Sequence, residues 1–343
     1  MTRDEGSAVP GPLVPSPSEP PSRPGGVELF RQLTQSIGQE IVGYVDIIRA
    51  LTIALVAEGH VLLEGVPGLA KTQLVRAFSQ TLKLSFRRIQ FTPDMLPSDI
   101  LGSTVLQPKD QTFTFRPGPI FANVILADEI NRAPPKVQSA LLEAMQERQV
   151  TIEGVSHPLA RPFMVIATQN PIEHEGTYPL PEAELDRFMF RGIMGYPSTE
   201  EEVRILRTRA KNLDAQEVAP VLTPADVAHL QALRKEVFVH DDVYRYLAAV
   251  VRQTRQDHRL LVGASPRASV QFLMAVKAAA LLDGRTFVVP DDVRELAFTV
   301  FNHRVIVRPE VLSQSLGVGE ATGTIALLSQ ILRQDLDAVD VPR

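Results

Sequence analysis

Residues 61–72 read VLLEGVPGLAKT and decide the fold. The first four, VLLE, are typical of the end of a buried strand, and the next eight, GVPGLAKT, precede an amphipathic helix. This order matches G-x-x-x-x-G-K-[ST], in which backbone N–H groups surround an anion, the lysine reaches the β- and γ-phosphates and the hydroxyl binds Mg²⁺. The stretch therefore predicts a phosphate-binding loop composed of Gly65, Val66, Pro67, Gly68, Leu69, Ala70, Lys71 and Thr72.

One position departs from the pattern, because Ala70 stands where glycine is usual. An alanine adds a single methyl group and suits the first turn of a helix, so we expect the loop to keep its geometry with a slightly tighter fit to phosphate. The alternative is a glycine-rich turn that binds nothing. The phosphate loop is favoured because the apolar residues that follow share one helix face: Leu74, Val75, Phe78 and Leu82.

The composition is that of an ordinary globular protein, with 44% hydrophobic and 22% charged residues among 343. A net charge of −5 argues against a general polyanion-binding surface, so nucleic acid is not the expected partner. The absence of cysteine excludes disulfides and thiolate catalysis. No apolar run approaches the roughly 20 residues that span a bilayer, and residues 1–26 lack the apolar core of a signal peptide. We expect a cytoplasmic protein without a membrane span.

Residue composition divides the chain into three parts. Residues 1–26 are rich in proline and poor in apolar groups, and we predict a disordered tail. Residues 27–219 begin with two helical patterns and continue with strands alternating with helices, which predicts an α/β core whose parallel sheet is covered on both faces. Residues 220–343 carry helix-start signatures and no strong strand, and we predict an all-helical second domain.

Two segments of the core predict β-hairpins. Residues 104–107 and 112–115 flank a polar turn at 108–111, and residues 150–152 and 157–160 flank a turn at 153–156. Further strands are predicted at 86–91, 123–127, 163–168 and near 190–196.

Acidic and amide side chains follow two of these strands. Asp128 and Glu129 end the run VILADE, at the carboxyl rim where open α/β sheets bind ligands. Asp128 can hold Mg²⁺ directly or through water, and Glu129 can polarise an attacking water. Asn170 follows a later strand and could orient that water, or could only begin an Asn-Pro turn.

Two arginines stand in distinctive settings, Arg187 in ELDRF and Arg267 in GASPRAS. A guanidinium near a transferring phosphoryl group stabilises its spread charge, although each arginine alone could form a surface ion pair. Arg267 falls in the first turn of a predicted helix, where the macrodipole does not favour a cation. Its position therefore indicates an anionic partner.

The segments GVPGLAKT, VILADEINRAPPKVQSALLEAMQERQVTIEG, VIATQNP, LPEAELDRF and GASPRAS, in this order, resemble the MoxR family of AAA+ ATPases. The resemblance implies an αβα core with helix 2 insert and pre-sensor 1 hairpins, a helical lid, and ATP and Mg²⁺ as ligands. It also implies a homo-oligomeric, usually hexameric, ring that remodels protein clients and often has a partner with a von Willebrand factor A domain. Both hairpin turns are then expected to face the client or the central channel of the ring.

The resemblance also assigns roles residue by residue. Lys71 and Thr72 fall on the Walker A motif, and Asp128 and Glu129 fall on the Walker B motif. Asn170 falls on sensor 1, Arg187 on the arginine finger and Arg267 on sensor 2. The segment that lines the adenine pocket is matched by Ile41, Val42 and Gly43.

Two other functions stay open beside a remodelling ATPase. One is a nucleotide-gated scaffold or regulator without mechanical work, which intact Glu129 and Arg187 disfavour. The other is a motor on DNA, suggested by a helix predicted to carry four arginines along one face: Arg245, Arg252, Arg255 and Arg259. At a net charge of −5 a solvated face or a subunit contact is favoured for this stripe, and salt-dependent DNA binding would discriminate.

Overall fold

The computed structural model describes residues 25–109, 111–171, 176–211, 218–315 and 321–342. Residues 1–24 of the predicted disordered tail lie outside the described residues. The first helix begins at Gly26, at the last residue of that predicted tail.

Helices and strands alternate through the first part of the chain, and helices dominate the second. The strands are β1 (Val61–Glu64), β2 (Phe86–Gln90), β3 (Gly102–Gln107), β4 (Thr112–Pro117), β5 (Val124–Asp128), β6 (Gln149–Ile152), β7 (Val155–Pro158), β8 (Met164–Gln169), β9 (Phe190–Ile193), β10 (Leu260–Val262) and β11 (Ile306–Val307). The α-helices are α1 (Gly26–Ile37), α2 (Val45–Val56), α3 (Lys71–Gln80), α4 (Pro97–Leu101), α5 (Pro135–Glu147), α6 (Glu182–Leu185), α7 (Thr199–Lys211), α8 (Pro224–Glu236), α9 (Asp241–Gln256), α10 (Pro266–Leu282), α11 (Pro290–Phe301), α12 (Pro309–Ser315) and α13 (Ala321–Asp337).

Five parallel strands form the central sheet in the order β2-β5-β8-β1-β9, which confirms the predicted parallel sheet. Successive side chains of a strand point to opposite faces of a sheet. Leu63, Leu126 and Ile166 accordingly pack with α1 to α3 and the later helices, whereas Leu62 and Ile125 pack with α5 on the other face. The three middle strands, β5, β8 and β1, are buried on both faces, so a ligand can reach them only at the two edges where strands end. We call these the carboxyl edge and the amino edge.

Two hairpins project from the core. In the first, β3–β4, Gln107 pairs with Thr112 on the two sides of the predicted turn, of which residue 110 lies outside the described residues. The second, β6–β7, turns on Glu153 and Gly154, whose φ values of +50° and +81° suit a two-residue hairpin. The predicted four-residue turn at 153–156 is therefore wrong, because Val155 already pairs with Ile152. The two hairpins meet where Phe115 stacks on His157, with ring centroids 4.1 Å apart.

The region after residue 220 is a helical lid built around α10. This helix packs against α1 and α2 of the first part and against α8, α9 and α11 of the lid. The lid is helical apart from the short antiparallel pair β10–β11, whose three and two residues are too few to show an alternating pattern in the sequence. The domain boundary at 219/220 stays a prediction. No helix in the described ranges is long and apolar enough to cross a membrane.

The predicted stripe of four arginines along one helix is wrong. Helix α9 ends at Gln256, so Arg259 lies beyond it and pairs with Asp257 at 2.6 Å. Arg255 donates from Nε to the carbonyl of Ala264 at 2.7 Å. Arg245 also pairs with Asp242 at 3.7 Å, so three of the four guanidinium groups have intramolecular partners and the helix offers no continuous basic face for a phosphate backbone.

Candidate nucleotide-binding site

The loop between β1 and α3 contains two left-handed residues. Gly68 has φ +88° and Ala70 has φ +57°. Helix α3 begins at Lys71, so Ala70 is its N-cap and does not lie in the first turn, contrary to our expectation. An L-residue in this conformation costs about 1–2 kcal/mol, which explains why glycine is usual at this position.

The ammonium group of Lys71 is held by two backbone carbonyl groups. Its Nζ donates to the carbonyl oxygens of Gly65 and, at 3.0 Å, of Gln169. These carbonyls belong to the ends of the adjacent strands β1 and β8, where Gly65 also donates to Gln169 at 3.4 Å. The ammonium group is therefore held at the carboxyl edge, beside the N-terminus of α3, where helix geometry favours an anion.

The carboxylate of Asp128 accepts four hydrogen bonds from three side chains at the site. Its Oδ2 accepts from Thr72 Oγ1 at 3.0 Å and from Arg88 Nε and Nη2 at 3.0 and 2.8 Å. Its Oδ1 accepts from Thr168 Oγ1 at 2.6 Å. A threonine hydroxyl and a carboxylate that face one another are oxygen ligands of the kind Mg²⁺ prefers. Thr72 and Asp128 thus fit the predicted metal role.

Glu129 follows Asp128 in a left-handed conformation, with φ +59°, which turns its side chain away from the line of β5. Its Oε2 accepts from Gln90 Nε2 at 2.8 Å and pairs with Arg132 Nε at 3.1 Å. Its own backbone N–H donates to Thr168 Oγ1 at 2.9 Å. The carboxylate is therefore fixed beside Asp128 at the carboxyl edge, where it can accept a proton from a bound water.

Sequence reasoning missed Arg88 and Gln90. Both face the site because they alternate along β2, whose Gln90 lies opposite Asp128 in the sheet. The polar alternation at 88 and 90 was visible, but the pairing of β2 with β5 was not. Arg88 Nη2 also donates to Gln90 Oε1 at 2.5 Å, so one chain of hydrogen bonds joins Asp128 to Glu129.

Most of the predicted phosphate-side residues share one cavity of about 390 Å³, but Gly65 and Val66 of the predicted loop are not among the residues that line it. Asn170 lies in its wall, 5% exposed, and its backbone carbonyl accepts from Asn131 Nδ2 at 3.3 Å. The other residues that line it are Pro67, Gly68, Leu69, Ala70, Lys71, Thr72, Gln73, Arg88, Gln90, Asp128, Glu129 and Thr168.

A second cavity of about 330 Å³ adjoins the first, because Gly68, Leu69, Ala70 and Gln73 line both. Ile41 and Val42 lie in its wall, as expected for a base-binding pocket, together with Tyr44, Pro197 and Ile205, which the sequence did not single out. Gly43, between Val42 and Tyr44 in sequence, has a left-handed backbone with φ +82°. A Cβ at this position would lie only 2.7 Å from the carboxylate of Glu201, so a larger residue would not fit without a shift.

Arg187 and Arg267 lie together, but away from the loop of their own chain. They share a cavity of about 230 Å³ with His60 and Met189, which immediately precede β1 and β9. This cavity is at the amino edge of the sheet. Strand β1 has four residues, so at about 3.3 Å per residue the two edges are roughly 13 Å apart.

Neither arginine is tightly neutralised. Arg187 Nη1 donates to the carbonyl of Leu142 at 2.9 Å, and its buried Nε has no hydrogen-bond partner within the described residues. Arg267 is 43% exposed at its side chain and approaches Asp186 only to 3.9 Å. The pair therefore retains donors for an anion that reaches this cavity from outside.

Comparison with known families gives two matches. Residues 60–190 match the model described as the ATPase family associated with various cellular activities (AAA), and residues 252–319 match the AAA lid domain. The first range contains the loop, Asp128, Glu129, Asn170 and Arg187, and the second contains Arg267.

Known proteins resemble the chain over nearly its whole length. Chaperone MoxR1 of Mycobacterium tuberculosis is 41% identical over 342 residues, covering 94% of this chain and 90% of that protein. Protein MoxR of Methylorubrum extorquens is 31% identical, covering 80% and 87%. A crystal structure from Cytophaga hutchinsonii, described as that of a candidate ATPase, superposes with a TM-score of 0.82 at 38% identity, covering 93% and 96%.

Proposed function

The chain belongs to the MoxR family of AAA+ ATPases, and we propose that it hydrolyses ATP in a homo-oligomeric, hexameric ring that remodels protein clients. The single observation that carries this proposal is the division of the site between two edges of one sheet. The phosphate loop, Asp128 and Glu129 lie at the carboxyl edge, whereas Arg187 and Arg267 lie at the amino edge. A complete site then needs two subunits.

Each residue at the carboxyl edge has a role in this proposal. Lys71 and the N-terminus of α3 bind the phosphates, and Ile41, Val42 and Gly43 form the base pocket. Thr72 and Asp128 hold Mg²⁺, whose chemistry there is neutralisation of charge on phosphate oxygens. Glu129 accepts the proton of the attacking water, and Asn170 orients that water.

The arginines complete the site of the neighbouring subunit. Developing charge on the γ-phosphoryl group is stabilised by a positioned guanidinium, and loss of such a group costs about 10³- to 10⁵-fold in rate. Neither arginine can reach its own loop across roughly 13 Å of sheet. Hydrolysis should therefore require assembly.

Exposed apolar side chains on the hairpins support a protein client. Phe113 is 73% exposed and Leu106, its partner across β3–β4, is 52% exposed. Val155 of the second hairpin is 57% exposed. Adjacent apolar side chains left in water commonly mark a surface for a protein partner. We also propose, from family membership alone, a partner with a von Willebrand factor A domain.

A mixing experiment tests the proposal. Arg187→Ala and Lys71→Ala proteins should each be nearly inactive in a phosphate-release assay, and subunit exchange is confirmed by energy transfer between labelled subunits. The mixture should recover part of the activity, because some interfaces pair an intact loop with an intact arginine. Arg245→Ala, which alters an arginine 80% exposed on α9, serves as the control with wild-type activity.

Absence of recovery in well-mixed oligomers, with turnover independent of protein concentration, would contradict the division of the site between subunits. A nucleotide-gated regulator that does no mechanical work would then be the better description.

A further inference from the structure

Asp186, the residue before Arg187, is bonded on both carboxylate oxygens to the lid. Its Oδ1 accepts from Arg304 Nε at 2.9 Å. Its Oδ2 accepts from Ser265 Oγ at 2.8 Å and lies 3.9 Å from Arg267 Nη1. One carboxylate therefore contacts the core segment that carries Arg187 and the lid helix that carries Arg267.

Arg304 anchors the other side of this contact. Its side chain is 1% exposed, and it donates from Nη1 to the carbonyl of Val300 at 2.7 Å and from Nη2 to that of Phe188 at 2.5 Å. Burial lowers the pKa of Arg304 to about 10, while Asp186 opposes that shift, so the guanidinium stays charged at neutral pH. The buried cation holds Asp186 and the backbone after Arg187 in one fixed arrangement.

Ser265 connects Asp186 to the start of α10, the helix that carries Arg267. Its Oγ accepts from the backbone N–H of Ala268 at 3.1 Å as the N-cap of α10, while its hydroxyl proton is donated to Asp186. The Asp186 contact thus fixes the first turn of α10, from which Arg267 projects. The same carboxylate also contacts both Arg304 and Arg267, whose guanidinium groups would otherwise repel each other.

We propose that Asp186, held by Arg304, is the positioning residue that sets the spacing of Arg187 and Arg267 toward the neighbouring subunit's nucleotide. The inference rests on the proposed function, in which both arginines act in the adjacent site. Transition-state stabilisation is sensitive to such spacing, since a displacement of about 1 Å can cost about 10²-fold in rate.

The test is Asp186→Asn, which keeps the shape of the side chain and removes its charge. We expect kcat to fall by about 10- to 100-fold, with KM and the affinity for ATP in direct titration unchanged, because the variant's own loop lies at the opposite edge. Mixed with Lys71→Ala, the variant should recover activity; mixed with Arg187→Ala, it should not. Damage that was merely structural would not produce this one-sided recovery.

Matched controls separate positioning from loss of stability. Asp292→Asn removes a lid carboxylate that is 3% exposed and paired with Arg285 at 2.5 Å, and whose hydrogen bonds go to Arg285 and Val289 and not to Asp186, Arg187 or Arg267. It should lower the melting temperature and leave kcat of the folded oligomer unchanged. If Asp186→Asn does not fold, Ser265→Ala replaces it, with Thr223→Ala, at the N-cap of α8, as its control. Only the Ser265 variant should lower kcat.

Arg304→Lys adds a conservative variant that keeps the charge and loses the planar fork, and it should lower kcat less than Asp186→Asn. Wild-type kcat in both Asp186→Asn and Ser265→Ala would overturn the inference. If instead Arg187→Ala and Lys71→Ala fail to complement each other, the proposed function itself fails, whatever Asp186 does.

Discussion

Arg88 donates from both Nε and Nη2 to Oδ2 of Asp128, at 3.0 and 2.8 Å. Thr72 donates to the same oxygen, so the carboxylate proposed to hold Mg²⁺ also binds a cation of the protein itself. Arg88 is 50% exposed at its side chain and Asp128 only 7%. The more exposed partner of the pair is therefore the guanidinium, which must share or give up this oxygen if a metal binds there.

Arg88→Gln should strengthen the binding of Mg²⁺ to the nucleotide complex, because it removes a competing cation. We expect the half-saturating Mg²⁺ concentration for binding of a fluorescent ATP analogue to fall about two- to fivefold, the effect of one partly exposed ion pair. Arg116→Gln, on the exposed hairpin strand β4, is the control and should change nothing. An unchanged Mg²⁺ requirement would show that metal and guanidinium do not compete.

Glu129→Gln should keep nucleotide affinity and lose hydrolysis. The amide preserves the shape of the side chain and can still bond to Gln90, but it cannot accept a proton from water. Phosphate release should fall by about 10²- to 10⁴-fold, while direct titration with ATP gives the wild-type dissociation constant. Glu147→Gln, at the exposed end of α5, is the matched control. Wild-type turnover would remove Glu129 from the mechanism.

Ala70→Gly should stabilise the protein, in contrast to most alanine-to-glycine changes. The left-handed conformation of Ala70 costs about 1–2 kcal/mol, whereas glycine adds about 0.4–1 kcal/mol of unfolded-state entropy. The net gain in unfolding free energy should be about 0.5–1 kcal/mol, measured by urea denaturation. Ala248→Gly, in the exposed middle of α9, should lose a similar amount. Equal destabilisation by both variants would contradict the assigned backbone geometry.

Local sequence signals predicted which residues meet at the carboxyl edge, and their roles there stay predictions. The apolar run at β1 leads through the loop to Lys71-Thr72, and the runs at β5 and β8 are followed by Glu129 and Asn170. Parallel strands bring such ends to one edge. What the sequence did not contain was strand order. Arg88 and Gln90 became part of the site only because β2 pairs with β5, and the paired residues are 38 positions apart, a separation that no local pattern encodes.

The proximity of the two amino-edge arginines could not be predicted from the sequence, for a different reason. Arg187 and Arg267 come from the core and the lid, and their proximity depends on how α10 packs against the segment before β9. That packing is set by buried contacts such as Arg304 with Asp186, which are 118 residues apart in sequence. The left-handed Ala70 and the two-residue turn at Glu153 escaped prediction because a side chain's identity does not reveal when tertiary context enforces positive φ.

His60, at the amino edge, is a buried histidine that makes the stability of the fold depend on pH. Its Nδ1 accepts from the backbone N–H of Val165 at 3.0 Å, and its Nε2 lies 3.3 Å from the carbonyl of Met145, which suits a neutral ring that donates from Nε2. Burial lowers the pKa of His60 from 6.5 to about 4. Between these values the unfolded chain binds a proton that the folded chain does not. The contribution of His60 to stability is therefore complete above pH 6.5 and is lost as the pH falls toward 4.

We expect His60→Gln to flatten the acid limb of the stability profile. Between pH 7.5 and 5.0 the wild-type protein should lose about 2 kcal/mol of unfolding free energy through this histidine, and the variant should not lose it, since glutamine cannot titrate. Urea denaturation at the two pH values measures both slopes. His258→Gln, which alters a histidine 93% exposed, is the control and should keep the wild-type slope. Parallel profiles for wild-type and His60→Gln proteins would mean that the buried ring is protonated in the folded state, and the hydrogen bond from Val165 to its Nδ1 could not then exist.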